Sequence, residues 1–240
     1  MTRTAIIAAM PGELAPLVKG WPHSTRNGIR FWAQRNPEEE WIAACAGVGQ
    51  AAATRAFAAI EEGGPIDLIF SVGWAGALRA EIGAGAAYNL AGVIDLRTGE
   101  RFRCEAGAGD EWLVTSTVVA GEAEKRRLAS AYDAALVDME AAAIARLAAM
   151  RGTPFYCIKG VSDEFRAKLP DFNPFIDEKG RFRSGRFALY ALLRPWHWPA
   201  LVRMGENSRK ASQSMAESLV DFLSERGQNG KRNGYPNLKS

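Results

Sequence analysis

Three carboxylates follow three apolar runs in this chain: Glu13 after "AIIAAM", Glu140 after "AALVDM" and Asp163 after "YCIKGV". Glycines follow two more, Gly47 and Gly49 after "WIAACA", with Gly73 and Gly76 bracketing the end of "LIFSV". If the runs are strands of one parallel sheet, their C-terminal ends lie along one edge, where open α/β folds bind ligands. Acids gathered there could hold or pass a proton at a reacting centre. Each also has a structural explanation. Asp138 is a natural helix N-cap, with Glu140 in the first turn where the dipole favours an anion; Glu13 could cap a short helix, and Asp163 could close a turn. What those explanations leave over is the repetition, an acid or a small residue after nearly every strong run.

The elements that must position these residues read as strands alternating with helices. "TAIIAAM", "WIAACAG", "DLIFSVGWAG", "EWLVTSTVVA" and "PFYCIKGVSD" are strand-like, the third entering a glycine turn. "ELAPLVKG" reads as a short helix, "QAAATRAFAAIEEGG" as a glycine-closed one, "EAEKRRLASAY" as an exposed one. In "AALVDMEAAAIARLAAM" a strand breaks at Asp138 and gives way to an alanine-rich helix. "GAAYNLAGVIDLRTGERFRC" alternates and carries turn residues, so it predicts extended pieces that curl the sheet. Residues 209–226 predict an amphipathic helix with Met215, Leu219, Phe222 and Leu223 on one face. Strand–helix alternation implies a largely parallel sheet covered on both faces. The expected organisation is one domain over 1–226, including an aromatic and basic extension at 164–208, with a flexible tail at 227–240.

At 240 residues, 48% hydrophobic and 24% charged, the composition is that of an ordinary globular protein. A formal charge of +3, without a basic stripe, argues against nucleic acid. Cys45, Cys104 and Cys157 are too scattered for a disulfide framework or a metal knuckle, which suits a reducing cytoplasm. Pro11 and Glu13 interrupt the first apolar run too early for a signal peptide, and no run reaches the ~18 residues of a membrane span.

"IIAAMPGEL", "AGVGQAAA", "VGWAGAL", "VDMEAAAIA" and "GVSDEF", in that order, resemble the nucleoside phosphorylase superfamily, and specifically its nucleosidase branch, which includes 5'-methylthioadenosine/S-adenosylhomocysteine nucleosidases. The resemblance covers about residues 4–165. It implies an α/β fold, a three-layer α/β/α sandwich with a mixed, partly barrel-like central sheet, a homodimer, and no cofactor or metal. By motif, Glu13 would orient or activate water, Met139 and Glu140 would contact the ribose, and Asp163, with Ser162 beside it, would protonate the departing purine at N7. Val118 and Val119 would line the base, while Gly47, Gly49 and Gly73 would border the pocket. Cleaving an N-glycosidic bond builds positive charge on the sugar and negative charge on the base, which is why one acid must donate and another stay ionised. Asp163 as donor calls for partial burial to hold its proton.

Two departures qualify the resemblance. Trp74 stands where many relatives carry a small hydroxyl residue, so the nucleophile's place is reshaped. No cluster of Arg, Ser and Thr for phosphate accompanies the glycine turns, Arg55 being the one candidate, which favours hydrolysis over phosphorolysis. The 164–208 extension sets Phe165, Phe172, Phe175, Phe182, Phe187, Tyr190, Trp196 and Trp198 among arginines. Such a mixture suits either a membrane interface with a large apolar ligand or packing against the core or a partner subunit. With "VIDLRTGERF" it resembles the hopanoid-associated nucleosidase/phosphorylase group, which acts on an adenosyl-linked triterpenoid. The expected ligand is thus an adenine nucleoside, lipid-linked or not, with peripheral membrane contact through 164–208. Two other readings stay open: a dinucleotide-dependent oxidoreductase, since "GVGQAA" passes as a loose G-x-G-x-x-A fingerprint, and a non-catalytic nucleoside-binding module in which Trp74 blocks the nucleophile.

Overall fold

The strand β1, Thr2–Ala8, is buried from Arg3 onward and hydrogen-bonds in parallel to strands on both sides, as an uninterrupted apolar run requires. The computed structural model of the chain describes residues 1–105 and 109–232, with 223–232 described by backbone alone. After β1 come α1 (Pro11–Leu14), β2 (His23–Arg26), β3 (Ile29–Arg35), β4 (Glu39–Cys45), α2 (Gln50–Glu61) and β5 (Leu68–Ala77). Then follow β6 (Ala87–Asp95), β7 (Arg101–Arg103), β8 (Glu111–Thr115), α3 (Glu122–Ala131), β9 (Leu136–Asp138), α4 (Ala141–Arg151), β10 (Phe155–Asp163), α5 (Ser184–Leu192) and α6 (Trp198–Arg232). The helix expected over 209–226 is thus part of a longer one. Leu223 as a side chain, and residues 233–240 of the expected tail, lie outside what is described.

The sheet is mixed and partly closed. Strands β10, β6, β8, β9 and β5 form a ring, since β10 pairs with both β6 and β5, and β1, β4, β3 and β2 extend from β5 as an open flank. Two sequence expectations need correction. The sheet is not largely parallel, because β6–β7, β10–β6, β5–β9 and the β2–β3–β4 meander are antiparallel. The hairpin of that meander turns at Asn27-Gly28, both at positive φ, the backbone of a tight two-residue hairpin loop. Nor does β5 stop at its glycines. It runs ten residues, and Gly73, at φ +148, bends it while its ladder to Lys159 persists; beyond the bend Gly76 pairs with Val137 of β9. One strand thereby serves both flank and ring.

Helices α2 and α4 pack together on one face, burying Ala52, Phe57, Ile60 and Ile144. On the other face Met215, Leu219 and Phe222 of α6 meet Phe70 and Tyr156. A fully buried ring such as Phe70 contributes about 2–3 kcal/mol. These are the three layers. Helix α3 is not wholly exposed, since its Lys125 and Leu128 point inward. The extension folds over the strand ends, with the rings of Phe172, Phe175, Phe182, Phe187 and Tyr190 packed on one another in tilted and edge-on pairs, while Trp196 and Trp198 remain exposed. No helix among the described residues is long and apolar enough to cross a membrane.

Candidate active site

Glu13 sits in α1, whose start at Pro11 places its side chain back over the end of β1. Its carboxylate accepts the N–H groups of Ala9 (2.8 Å) and Met10 (2.7 Å) on Oε2, and that of Trp74 (2.8 Å) on Oε1. Three of about four lone-pair positions are filled, which leaves one on Oε1 for a water. A Cβ at Gly73 would lie 2.9 Å from Oε1, so the bend in β5 also makes room for this acid. Burial pushes the Glu13 carboxyl above its ordinary 4.5, against the opposing pull of those N–H groups and of Lys159.

The break at "DME" separates two functions. Asp138 accepts the Ala141 N–H at 2.9 Å, the Thr115 hydroxyl at 2.7 Å and the Lys159 ammonium at 2.9 Å, so it caps α4 and anchors a buried cation. Glu140, in the N-cap position of α4, turns instead to the glycine loop and accepts the Gly49 N–H at 2.6 Å. Burial foremost, then the charge of Asp138, pushes Glu140 up to about 8. Burial works to lower the Lys159 ammonium, but the charge and hydrogen bond of Asp138 together with its other neighbours, Glu140 among them, hold it above its ordinary value. Asp163 closes the group at the end of β10. Ser162 Oγ lies 2.6 Å from its Oδ1, and its Oδ2 is salt-bridged to Lys125. Asp163 is thus mostly buried, as a donor was expected to be, but beside an ammonium partner that the sequence did not announce.

Glu13, Asp138, Glu140 and Asp163 all line one cavity of about 150 Å³, together with Trp74, Val118, Val119, Met139 and Ser162. No arginine or lysine lines it among the described residues. Arg55 is turned away to the carbonyls of Ala46 (3.2 Å) and Lys179 (2.7 Å). Val119 is bound through both backbone groups by the Asn173 amide, its N–H to Oδ1 at 2.8 Å and its C=O from Nδ2 at 3.2 Å. The indole of Trp74 lines the hollow without filling it, because its N–H is drawn to Ser212 Oγ (2.9 Å) and Ser208 O (3.0 Å) of α6. Gly49 reaches the site through Glu140, but Gly47 stands behind it. There, at φ +110, a Cβ would come 2.5 Å from Gly180 O, and the Val48 N–H donates to that same oxygen at 2.7 Å. The "GVGQAA" loop thus gives one N–H to an internal carboxylate and packs against the extension, which leaves no cradle for a pyrophosphate.

Sequence reasoning missed both lysines. Lys159 carried a signal, a lone charge inside an apolar strand run. Lys125 carried almost none, because it lies among the arginines and glutamates of α3, and only its spacing from Leu128 marks an inward face.

The hollow opens on a larger apolar cavity of about 610 Å³, and Met10, Val48, Trp74, Val119, Phe172 and Met204 line both. Phe182, Phe187 and Leu201 form its far wall.

A five-strand ring flanked by an open sheet is the nucleoside phosphorylase/nucleosidase fold. The family profile described as "Phosphorylase superfamily" matches residues 3–111 and 98–189, and the chain belongs to that superfamily. Among solved structures it is similar to the 5'-methylthioadenosine/S-adenosyl homocysteine nucleosidase of Helicobacter pylori, at TM-score 0.69 and 15% identity over 93% of this chain and 98% of that one. The S-adenosylhomocysteine nucleosidase of Streptococcus pyogenes, in complex with 5-methylthiotubericidin, gives TM-score 0.70 and 19% identity over 93% and 97%. The futalosine hydrolase of Helicobacter pylori gives 0.70 and 15% over 93% and 98%. No curated sequence matches the chain.

Proposed function

We propose that this protein hydrolyses the N-glycosidic bond of an adenine nucleoside whose 5' position bears a large apolar group, an adenosyl-linked hopanoid being the substrate to test first. The observation that carries the reading is a hollow lined by four acids and, among the described residues, no cation, continuous with an apolar cavity of about 610 Å³. A phosphate dianion would find no arginine or lysine on the lining of this hollow to hold its charge, whereas a neutral water needs none. In the reaction a water held by Glu13 attacks C1' as the C1'–N9 bond breaks. Glu13 takes the water's proton, and the bond's electron pair leaves on the purine, which is protonated at N7 from Asp163. Glu140, ionised, opposes the positive charge of the sugar.

The same polypeptide would act as a homodimer at the cytoplasmic face of a membrane, met through residues 164–208. What supports this contact is a cluster of exposed apolar side chains: Leu189, Leu192, Leu193, Trp196, Trp198 and Val202. Five arginines and no acid occur between residues 181 and 203. Apolar side chains at headgroup depth with guanidinium groups on lipid phosphate are the expected arrangement. The expected finding is sedimentation with vesicles of phosphatidylcholine and phosphatidylglycerol in equal parts, lost in Leu189→Ser/Leu192→Ser/Leu193→Ser. Retained binding by that variant would refute the face.

For the chemistry, purified protein is incubated with adenosylhopane, methylthioadenosine or S-adenosylhomocysteine, with and without phosphate. Free adenine at equal rates with and without phosphate is expected, fastest from the lipid-linked substrate. A ribosyl phosphate product would replace hydrolysis by phosphorolysis, and no adenine from any of the three would refute the enzyme.

A further inference from the structure

Lys125 is one of the largest fully buried side chains of the protein, and nothing in the chemistry above uses it. From the first turn of α3 it reaches under β5 and places its ammonium against the Asp163 carboxylate, with Glu164 O at 2.7 Å and Asp163 O at 3.4 Å. Its side chain is 2% exposed and that of Asp163 13%, and Asp163 lines the hollow while Lys125 does not. The backbone makes space for it. A Cβ on Gly76 would lie 2.8 Å from Lys125 Cε, 3.1 Å from its Nζ and 3.1 Å from Asp163 Oδ2. Burying an ammonium costs several kcal/mol unless its partners are well placed. A lysine kept there, with the neighbouring strand stripped of a side chain to admit it, is held for Asp163.

We infer that Lys125 is the positioning residue that supplies the proton Asp163 passes to the leaving base. The inference rests on the proposed N-glycosidic cleavage. As the C1'–N9 bond breaks and its electron pair moves onto the purine, the Lys125 ammonium gives a proton to the Asp163 carboxylate, which passes a proton on to N7. Lys125 ends neutral, Asp163 ends as it began, and the water's proton rests on Glu13, so charge and atoms balance. Asp163 then need not hold its own proton at rest, which accounts for an acid in the donor's position being paired with a cation.

The test compares two leaving groups on one sugar. Adenine needs a proton to leave, whereas 4-nitrophenolate, released from 4-nitrophenyl riboside, does not. Lys125→Met is expected to lower kcat for adenine release on the order of 10²–10⁴-fold, the range of a lost general acid, with KM little changed. Release of 4-nitrophenolate should stay within a few-fold of wild type. Lys125→Arg keeps a cation but cannot give up its proton at ordinary pH, so it should leave adenine release as low as the methionine variant does. Equal loss for both leaving groups would reduce Lys125 to a structural support, and rescue by arginine would overturn proton supply. If wild type releases neither leaving group, the proposed reaction itself has failed, an outcome separate from either.

Discussion

Glu140→Gln removes an ionisable group from the buried site while keeping the shape of the side chain and an acceptor for the Gly49 N–H. In the folded protein this carboxyl stands at about 8 against an ordinary value of 4.5. Between those values the folded chain keeps a proton that the unfolded chain has released. Stability from this group is therefore full below 4.5, falls as pH rises, and levels off above about 8. The slope is about 1.4 kcal/mol per pH unit. From pH 6 to pH 9 the wild type should lose about 3 kcal/mol that the glutamine variant, with nothing to ionise, does not lose. The raised carboxyl of Glu13 acts in the same direction in both proteins, so its own burial cancels in the difference and only its mutual repulsion with Glu140 remains, which adds to the effect.

The assay is urea unfolding of both proteins at pH 6 and pH 9, with adenine release measured in parallel. We expect the variant's stability relative to wild type to rise by about 3 kcal/mol across that interval, together with a loss of activity. A stability difference that is unchanged or smaller at pH 9 would falsify the claim that Glu140 is desolvated and crowded by like charge. If catalysis needs Glu140 ionised, kcat/KM of the wild type rises with pH and flattens near 8; a profile that falls over that range contradicts the role.

Asp163→Asn should lower adenine release on the order of 10²–10⁴-fold, and because it leaves the buried Lys125 ammonium without its carboxylate it should also cost about 3 kcal/mol of stability in urea unfolding. Phe187→Ala, in the wall of the apolar cavity, should reduce kcat/KM for a lipid-linked nucleoside by about tenfold or more and leave methylthioadenosine cleavage within about twofold. Gly180→Ala should destabilise the fold by about 2 kcal/mol or more in urea unfolding, because φ is +73 there and a Cβ would come 2.1 Å from Val48 O.

Much of the fold was legible because its strands are buried on both sides and bounded by turn residues. The β1, β4, β5 and β10 runs and the α2 and α4 helices lie within a few residues of where their patterns place them. The β2–β3 hairpin was not read, although Asn27-Gly28 announces it, because its exposed β2 lacks an apolar face. The glycines of "SVGWAG" read as a turn, yet in a strand that must leave one pairing and join another, glycine supplies curvature without ending the ladder. Glu13, Glu140 and Asp163 were legible as a group because strand ends converge. Of their cationic partners Lys159 shows as a lone charge in an apolar run, whereas Lys125 differs from Arg126 and Arg127 only by its spacing from Leu128.

The charges of the hollow argue for what it can stabilise. Four acids line it, and two lysines stand behind them, Lys159 bonded to Asp138 and Lys125 to Asp163. Glu13 and Glu140 are left without a direct cationic partner, held by backbone N–H groups, and both are raised by burial. Such a site favours gaining positive charge in its centre, because a cation there would lower both carboxyls toward their ordinary values. A nucleoside arrives neutral and becomes cationic at the sugar only as its glycosidic bond breaks. The stabilisation is therefore withheld from the bound substrate and delivered at the transition state, the condition for catalysis as distinct from tight binding. The same reasoning predicts that a stable cationic mimic of the ribose should bind far more tightly than a neutral nucleoside. Glu140→Gln should erase most of that preference, and an equal preference in wild type and variant, measured by calorimetric titration, would count against this account of the site.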